Sequence, residues 1–351
     1  MHRFLVQVDK NRIADTHASM MLVATVRNEL SRLPYWLSYY RDLGIGQVFF
    51  VDDHSTDGTT DYLLAQPDSH VFQPRNSYSE SNYGTAWQNE LLDLYGEGRW
   101  TVVADADELL AYPDCENLKL PEFCALLDKE GSEALYCFLL DMYPDGDLRK
   151  AICERGKPFY EICDYFDSEY TFVKRLRILS DPALRFPDKE VIGGPRLRKF
   201  YPEQINASIF NRVKNRLISK ACNKLTRFRV SFRVRPHNAP ALFKVPLLKW
   251  RKGYARLSSH NITEPAGGIS SATGVLLHFK FFADFNEKAK LESARGEHYA
   301  GGLEYKRYLN YIARDPHISF MYRGSVKYTG TASLMEHGLI SSGSVMENGM
   351  Q

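Results

Sequence analysis

Trp100-Thr101-Val102-Val103-Ala104-Asp105-Ala106-Asp107-Glu108-Leu109 runs from an unbroken apolar stretch into two aspartates one residue apart, followed by a glutamate. A short apolar run of this kind reads as a strand buried on both faces. Two similar runs precede it. Met20–Val26 ends in Arg27-Asn28-Glu29, and Gln47–Val51 ends in Asp52-Asp53-His54-Ser55-Thr56-Asp57-Gly58. Between them, Leu30, Leu33, Leu37, Tyr40 and Leu43 share one helical face, stopped by Gly44. A helix-like stretch, Thr59–Ala65, leads to Val71-Phe72, and Thr85–Leu94 is helical before the apolar run at Trp100. Strand and helix alternating at this pace imply right-handed crossovers and a parallel sheet. Ligands of such sheets sit beyond the carboxyl ends of the strands. Three polar, carboxylate-rich turns are therefore expected at one edge.

Two aspartates just past a buried strand suit a hard divalent cation, Mn²⁺ or Mg²⁺, which takes oxygen ligands and leaves room for phosphate oxygens. Such a cation neutralises the charge that grows on a departing diphosphate. Asp107 is the expected direct ligand, and Asp105 the contact to a ribose or a metal-bound water. Alone, D-x-D is a weak signal; after this strand order it gains specificity. Asp52 and Asp53 end the second strand, where one carboxylate can accept from the imide N–H of a base and the others cap the following helix. Arg27 and Asn28 end the first strand and are expected beside the same ligand, while Glu29 starts its helix.

With these motifs in order, the sequence resembles a family 2-type glycosyltransferase of the GT-A fold, in the branch pairing V-x-N-E with D-x-D-E. The matching stretches are Val26–Glu29, Val51–Thr59, Tyr83–Asn89, Val103–Leu109, Gly193–Arg198, Ser259–Asn261 and Leu277–Lys280. The resemblance spans about Met20 to Tyr328. It implies a GT-A-like Rossmann-type mixed, mainly parallel sheet flanked by helices, with a basic helical C-terminal half. It also implies a nucleotide-sugar donor, most naturally a uridine diphosphate sugar, and a saccharide or lipid-linked acceptor in surface polysaccharide or glycoconjugate synthesis. Asp52 or Asp53 would bind the base and Asp105 and Asp107 serve the metal. His278 would complete the metal shell, and Lys280, Arg196 and Arg198 would face diphosphate or an anionic acceptor. Inverting transfer needs a carboxylate base; Asp188, Glu190 and Asp141 are the candidates, with Glu161, Asp164 and Asp167 behind them. One departure stands out: Gln88-Asn89 replaces the family's Arg-Asn, so Lys244 or Lys249 is expected to supply the missing phosphate-reaching cation.

Residues 19–195 are expected to form the nucleotide-sugar-binding core, 196–330 a basic acceptor-side region with strand and helices completing the site, and 331–351 a flexible tail. Hydrophobic residues at 44% and charged residues at 25% are ordinary for a globular chain and exclude disorder as the general state. No run approaches the ~20 apolar residues that cross a bilayer, and the six cysteines show no C-x-x-C pair, as in a reduced cytoplasmic protein. From Thr171 to His260 there are 22 Lys and Arg against four acids, +18, so the rest of this +2 chain carries −16. Within that segment Ile205, Ile209, Val213, Leu217, Ala221 and Leu225 recur every four residues, a basic amphipathic helix. A packed surface helix is one reading and an anionic inner membrane face the other; nucleic acid is not an expected partner.

Three other readings compete with this one. A phosphohydrolase that uses D-x-D as nucleophile wants it after the first strand and Thr or Val where Leu109 stands. A nucleotidyltransferase wants a glycine-rich loop where Val26–Leu30 stands. A non-catalytic nucleotide- or carbohydrate-binding module remains a separate class. The basic segment predicts binding to anionic lipid vesicles that weakens as salt is raised; in a vesicle co-sedimentation series, no binding, or binding indifferent to salt, removes the membrane partner.

Overall fold

The computed structural model describes residues 3–11, 13, 19–174, 186–202, 239–297 and 299–345. The amphipathic stripe expected from Ile205 to Leu225 and Cys222 lie outside the described residues. β1 (Leu5–Gln7) precedes β2 (Met20–Val26), α1 (Leu33–Leu43), β3 (Ile45–Asp52), α2 (Thr59–Leu64), β4 (Ser69–Pro74), α3 (Thr85–Tyr95), β5 (Trp100–Val103) and β6 (Glu108–Ala111). Then come α4 (Leu120–Glu130), β7 (Ala134–Tyr143), β8 (Tyr165–Asp167), β9 (Tyr170–Lys174), β10 (Lys189–Gly193) and α5 (Gly194–Phe200). After them stand β11 (Phe243–Lys249), β12 (Ile269–His278), α6 (Phe285–Arg295), α7 (Tyr299–Arg314), β13 (Ser325–Lys327) and α8 (Thr331–Glu336).

An eleven-stranded mixed sheet flanked by helices carries the fold, in the order β1-β4-β3-β2-β5-β11-β7-β12-β6, with β8 attached to β7 and β13 to β8. The block β4-β3-β2-β5 is wholly parallel, as the strand–helix alternation predicted. Along β2, Leu22, Ala24 and Val26 face one apolar layer with Trp36 and Tyr40 of α1, while Met21 and Val23 face another with Trp87 and Leu91 of α3. Side chains alternate across a strand, so a run apolar at every position is covered on both faces. A third apolar cluster joins Phe200, Phe281, Phe285, Tyr308 and Phe320 under α6 and α7. In the stretch expected as a tail, α8 is helical and Leu334, Leu339, Ile340 and Val345 are buried in the main core. Cys115, Cys124, Cys137, Cys153 and Cys163 are free thiols.

The chain runs outward from β2 through β3 to β4, then returns to place β5 on the other side of β2. This reversal opens a crevice at the carboxyl ends of β2 and β5. The later strands bring more groups to the same edge. β7 and β12 run parallel to each other, so Asp141 and His278 lie side by side at their carboxyl ends. β11 runs antiparallel to β5 and β7, which places Lys244, at its start, on that edge.

The turn after β5 is fixed from α1. Trp36 Nε1 donates to the carbonyls of Asp105 (2.9 Å) and Glu108 (3.0 Å), and Tyr40 Oη donates to Glu108 (3.1 Å) and accepts from Leu110 N (3.1 Å). Removing a donor from a buried carbonyl costs about 1–3 kcal/mol. Trp36→Phe is therefore expected to lower stability by that amount in urea unfolding; an unchanged midpoint would show that the turn holds itself.

Candidate functional site

The loops at the crevice are built from unusual backbone. Asn28 and His54 adopt left-handed conformations (φ 55° and 56°), and Asn82, Tyr83 and Gly84 do so in succession (φ 54°, 59° and 80°). A left-handed non-glycine residue is uncommon and often marks a functional loop. At Gly84 a side chain would press on Thr25 Oγ1, 3.2 Å from a Cβ, as well as strain the backbone. The first two loops are stitched together: Asn28 N donates to Ser55 Oγ (2.9 Å), Thr56 N to Asn28 Oδ1 (2.7 Å), and Leu30 N to Asp57 Oδ2 (3.1 Å).

The crevice is a cavity of about 260 Å³. Of the residues singled out from the sequence, Arg27, Asp53, Asp105, Asp107, His278 and Lys280 line it. Asp52 does not. It is fully buried, accepts from Ser55 N (3.0 Å) and from the Thr60 hydroxyl, and so serves the following turn and helix. Asn28 is spent on the loop stitch. Arg198 pairs with Asp167 (2.9 Å) instead of the cavity, because β8 places that carboxylate beside α5. Lys249 lies at the far end of β11, paired with Asp128 (2.8 Å), whereas Lys244 reaches the cavity.

Four of the sequence-predicted residues form a relay, and Arg196, expected to face diphosphate, is spent in it and does not line the cavity. Arg196 Nε donates to Asp141 Oδ2 (2.8 Å); His278 Nδ1 is 2.6 Å from Asp141 Oδ1; His278 Nε2 is 3.5 Å from Asp107 Oδ2. Asp141, fully buried and doubly engaged, cannot also touch an acceptor hydroxyl. Neither Asp188 nor Glu190 lines the cavity; Glu190 is buried on β10, opposite Val173 of β9. None of the three base candidates thus stands on the wall.

Asp107, Glu108 and His278 offer donor atoms all within 4.8 Å of one another. Asp105, expected as a metal residue, instead turns toward Lys244 Nζ (3.1 Å), which also contacts Glu108. Glu108, overlooked as a ligand in the sequence, joins the group because β6 begins antiparallel to the end of β12 and sets it opposite His278. Burial opposes ionisation of Asp107, but the His278 ring beside it holds its carboxyl well below the usual range. Burial would lower the His278 pKa, yet Asp107 and Asp141 together raise it. Glu108 is pushed up to about 7 by burial and by the neighbouring Asp105, with Lys244 pulling the other way.

The opposite wall comes from α6 and α7, within the region expected to complete the site, though none of their residues was singled out in the sequence. Lys288 Nζ contacts Glu29 (2.6 and 2.7 Å), Arg295 pairs with Asp53 and with Glu297 (3.0 Å), and buried Arg32 is held in a fork by Asp284 (2.8 and 2.9 Å). Arg27 Nη1 donates to the Asp53 carbonyl (2.8 Å). Tyr78 and Tyr83 present rings at the same cavity, 6.0 Å apart, and Lys280 lies over Tyr305 (5.0 Å). Helical spacing at α7 was a usable signal; the ion pairs across 242 to 259 residues of chain were not.

No protein-family model matches this chain, and no curated protein matches it. Among solved structures, it is similar in part to that of S. aureus TarS residues 1–349, a glycosyltransferase, with 17% identity over 51% of this chain and 48% of that one. The TM-score is 0.27. The chain thus matches about half of the TarS structure, and so partial a likeness carries no argument about activity. Among the described residues no helix is long and apolar enough to cross a membrane.

Glu108 and His278 both bind protons more tightly in the folded chain than when unfolded, so on their account stability falls as pH rises. For Glu108 the window runs from about 4.5, its ordinary value, to about 7. Metal-free protein is expected to lose stability across that window in urea unfolding, and Glu108→Gln to flatten the slope. A wild-type profile that rises from pH 5 to 7 and is untouched by the substitution would contradict this.

Proposed function

We propose that the chain is a glycosyltransferase that moves a sugar from a nucleotide-diphosphate donor to a saccharide or lipid-linked acceptor, with a divalent cation at Asp107, Glu108 and His278. One observation carries the reading. One cavity at the sheet's switch point is lined by Asp53 and by Asp107 and His278, which with the buried Glu108 offer donor atoms for a cation. Two carboxylates and one imidazole fit Mn²⁺ or Mg²⁺. When bound, the cation would neutralise the charge growing on the departing diphosphate.

The chain's own residues account for the rest. Asp141 accepts from Nδ1–H of His278, which fixes the ring and leaves Nε2 toward Asp107. Lys244 compensates Asp105 and Glu108 so that both carboxylates can stand at one turn. Asp53 accepts the imide N–H of a base, which favours uracil, and Tyr78 and Tyr83 supply rings to stack on it. Lys280, over Tyr305, points a cation at the phosphate region. In this reading residues 19–195 bind the donor, while 196–330 complete the site and face an acceptor used in surface polysaccharide or glycoconjugate synthesis.

A non-catalytic binding module is favoured by one fact, that none of the base candidates lines the cavity. Donor hydrolysis separates the two. With Mn²⁺ and a panel of nucleotide sugars, slow hydrolysis is expected from the wild type and none from Asp107→Ala. Nucleotide binding without turnover, even with acceptor extracts, would select the module; no nucleotide binding at all would remove both. Asp141→Asn is expected to weaken Mn²⁺ binding about 10–100-fold, read by electron paramagnetic resonance, and unchanged affinity would break the proposed support of His278.

A further inference from the structure

Arg256 differs from the other cations of the cavity in what surrounds it. Its side chain is buried, with the residue 5% exposed, and it lines the cavity. Nη1 donates to the carbonyl of Val245 (3.4 Å) and Nη2 to that of Ser259 (3.2 Å), while Nε is buried with no partner. No carboxylate among the described residues pairs with it; the nearby Asp105 and Glu108 are held by Lys244. Burial pushes its pKa down to about 10, even though Asp105 and Glu108 act in the opposite direction. Two neutral carbonyls do not balance a guanidinium, and an uncompensated buried charge is costly.

The residue is also held in place deliberately. Asn89, on α3, donates from Nδ2 to the Arg256 carbonyl (2.9 Å) and accepts from the Arg256 N–H at Oδ1 (2.8 Å). Asn82 Nδ2 grips the next carbonyl, that of Leu257 (3.1 Å). The turn beyond is closed by Leu257 N donating to Asn261 O (2.7 Å), and Arg256 bridges Ile262. Two asparagines thus fix the backbone of a buried cation against a cavity that also exposes Gln88 and Ser259.

We propose that Arg256 is a phosphate-binding residue, whose guanidinium receives its counter-charge from a phosphoryl group of the nucleoside diphosphate. The inference rests on the donor reading above but concerns a different group from the cation cluster. A charge-assisted hydrogen bond strengthens binding of the group it touches, so the residue governs affinity for phosphate and not for the base.

Titration calorimetry without metal, with uridine, uridine diphosphate and inorganic pyrophosphate, tests it. Arg256→Gln is expected to weaken the diphosphate and pyrophosphate about 10–100-fold and leave uridine unchanged, with Arg256→Lys in between. Asn89→Ala, which keeps the guanidinium but frees its backbone, is expected to weaken the same two probes a few-fold, and serves should Arg256→Gln not fold. Equal affinity of a folded Arg256→Gln for both phosphate probes overturns the inference and leaves the donor reading standing. Arg256-dependent binding of pyrophosphate, with the diphosphate bound no better and uridine not at all, supports the anion site and overturns the nucleotide reading. Failure of wild-type protein to bind either phosphate probe without metal overturns the inference, and failure to bind uridine diphosphate with Mn²⁺ added overturns the donor reading as well.

Discussion

The site hangs on a line of alternating charge: Arg196, Asp141, His278 and Asp107, each within hydrogen-bonding or ion-pair reach of the next. Burying any one of these groups alone would be strongly unfavourable. Together they are compensated, and each belongs to a different part of the chain: α5, β7, β12 and the turn after β5. The backbone doubles the last link, since Phe279 N donates to the Asp107 carbonyl (2.7 Å). Arg196 also approaches Glu304 of α7 (3.6 Å), so the line continues into the helices that close the cavity. Moving His278 away from Asp107 would therefore uncouple the C-terminal strand from the D-x-D turn and leave Asp107 without its cationic partner.

That line requires strands from the second half of the chain to enter the sheet built by the first. β11 is inserted between β5 and β7, and β12 beyond β7, so the late residues Lys244 and His278 meet the early Asp105, Asp107 and Glu108. β11 is an awkward central strand, with Pro246 in its interior. Proline cannot donate to a ladder and in sheets is confined to edges and irregularities. Its pairing with β7 shifts register between Lys244 and Leu247, which gives the proline a place without an unmet partner.

The parallel block and its convergent turns were legible because apolar runs, helical spacing and Gly44 act locally. α1 begins at Leu33 and not Leu30, since Pro34 suits a first helical turn and the preceding residues are turned toward the second loop. β11 was not legible: Pro246 and the flanking lysines break the apolar pattern that marks a strand. The aspartates were readable as a group, yet which of Asp52 and Asp53 caps and which faces the cavity depends on Thr60 and Arg295, one local and one distant. Neither the engagement of Asp105 by Lys244 nor the grip of Asn89 on Arg256 has any periodic signature. Both are contacts over more than a hundred residues, and only the sheet order creates them.

The closing wall shows why so many charges can share one small cavity. Glu29 answers Lys288 and Arg32, Asp53 answers Arg27 and Arg295, and Asp105 and Glu108 share Lys244. These pairs differ in strength. Lys288 is 32% exposed and Arg27 37%, so water screens them and their attraction is modest. Arg256, 5% exposed, and the side chains of His278 and Lys244, each 7% exposed, are far less screened. A ligand carrying an anion gains most where solvent has already been removed, and it displaces only weak pairs at the rim. The gradient from screened rim to buried interior therefore favours entry of a charged group at the mouth and tighter holding of an anion beside Arg256.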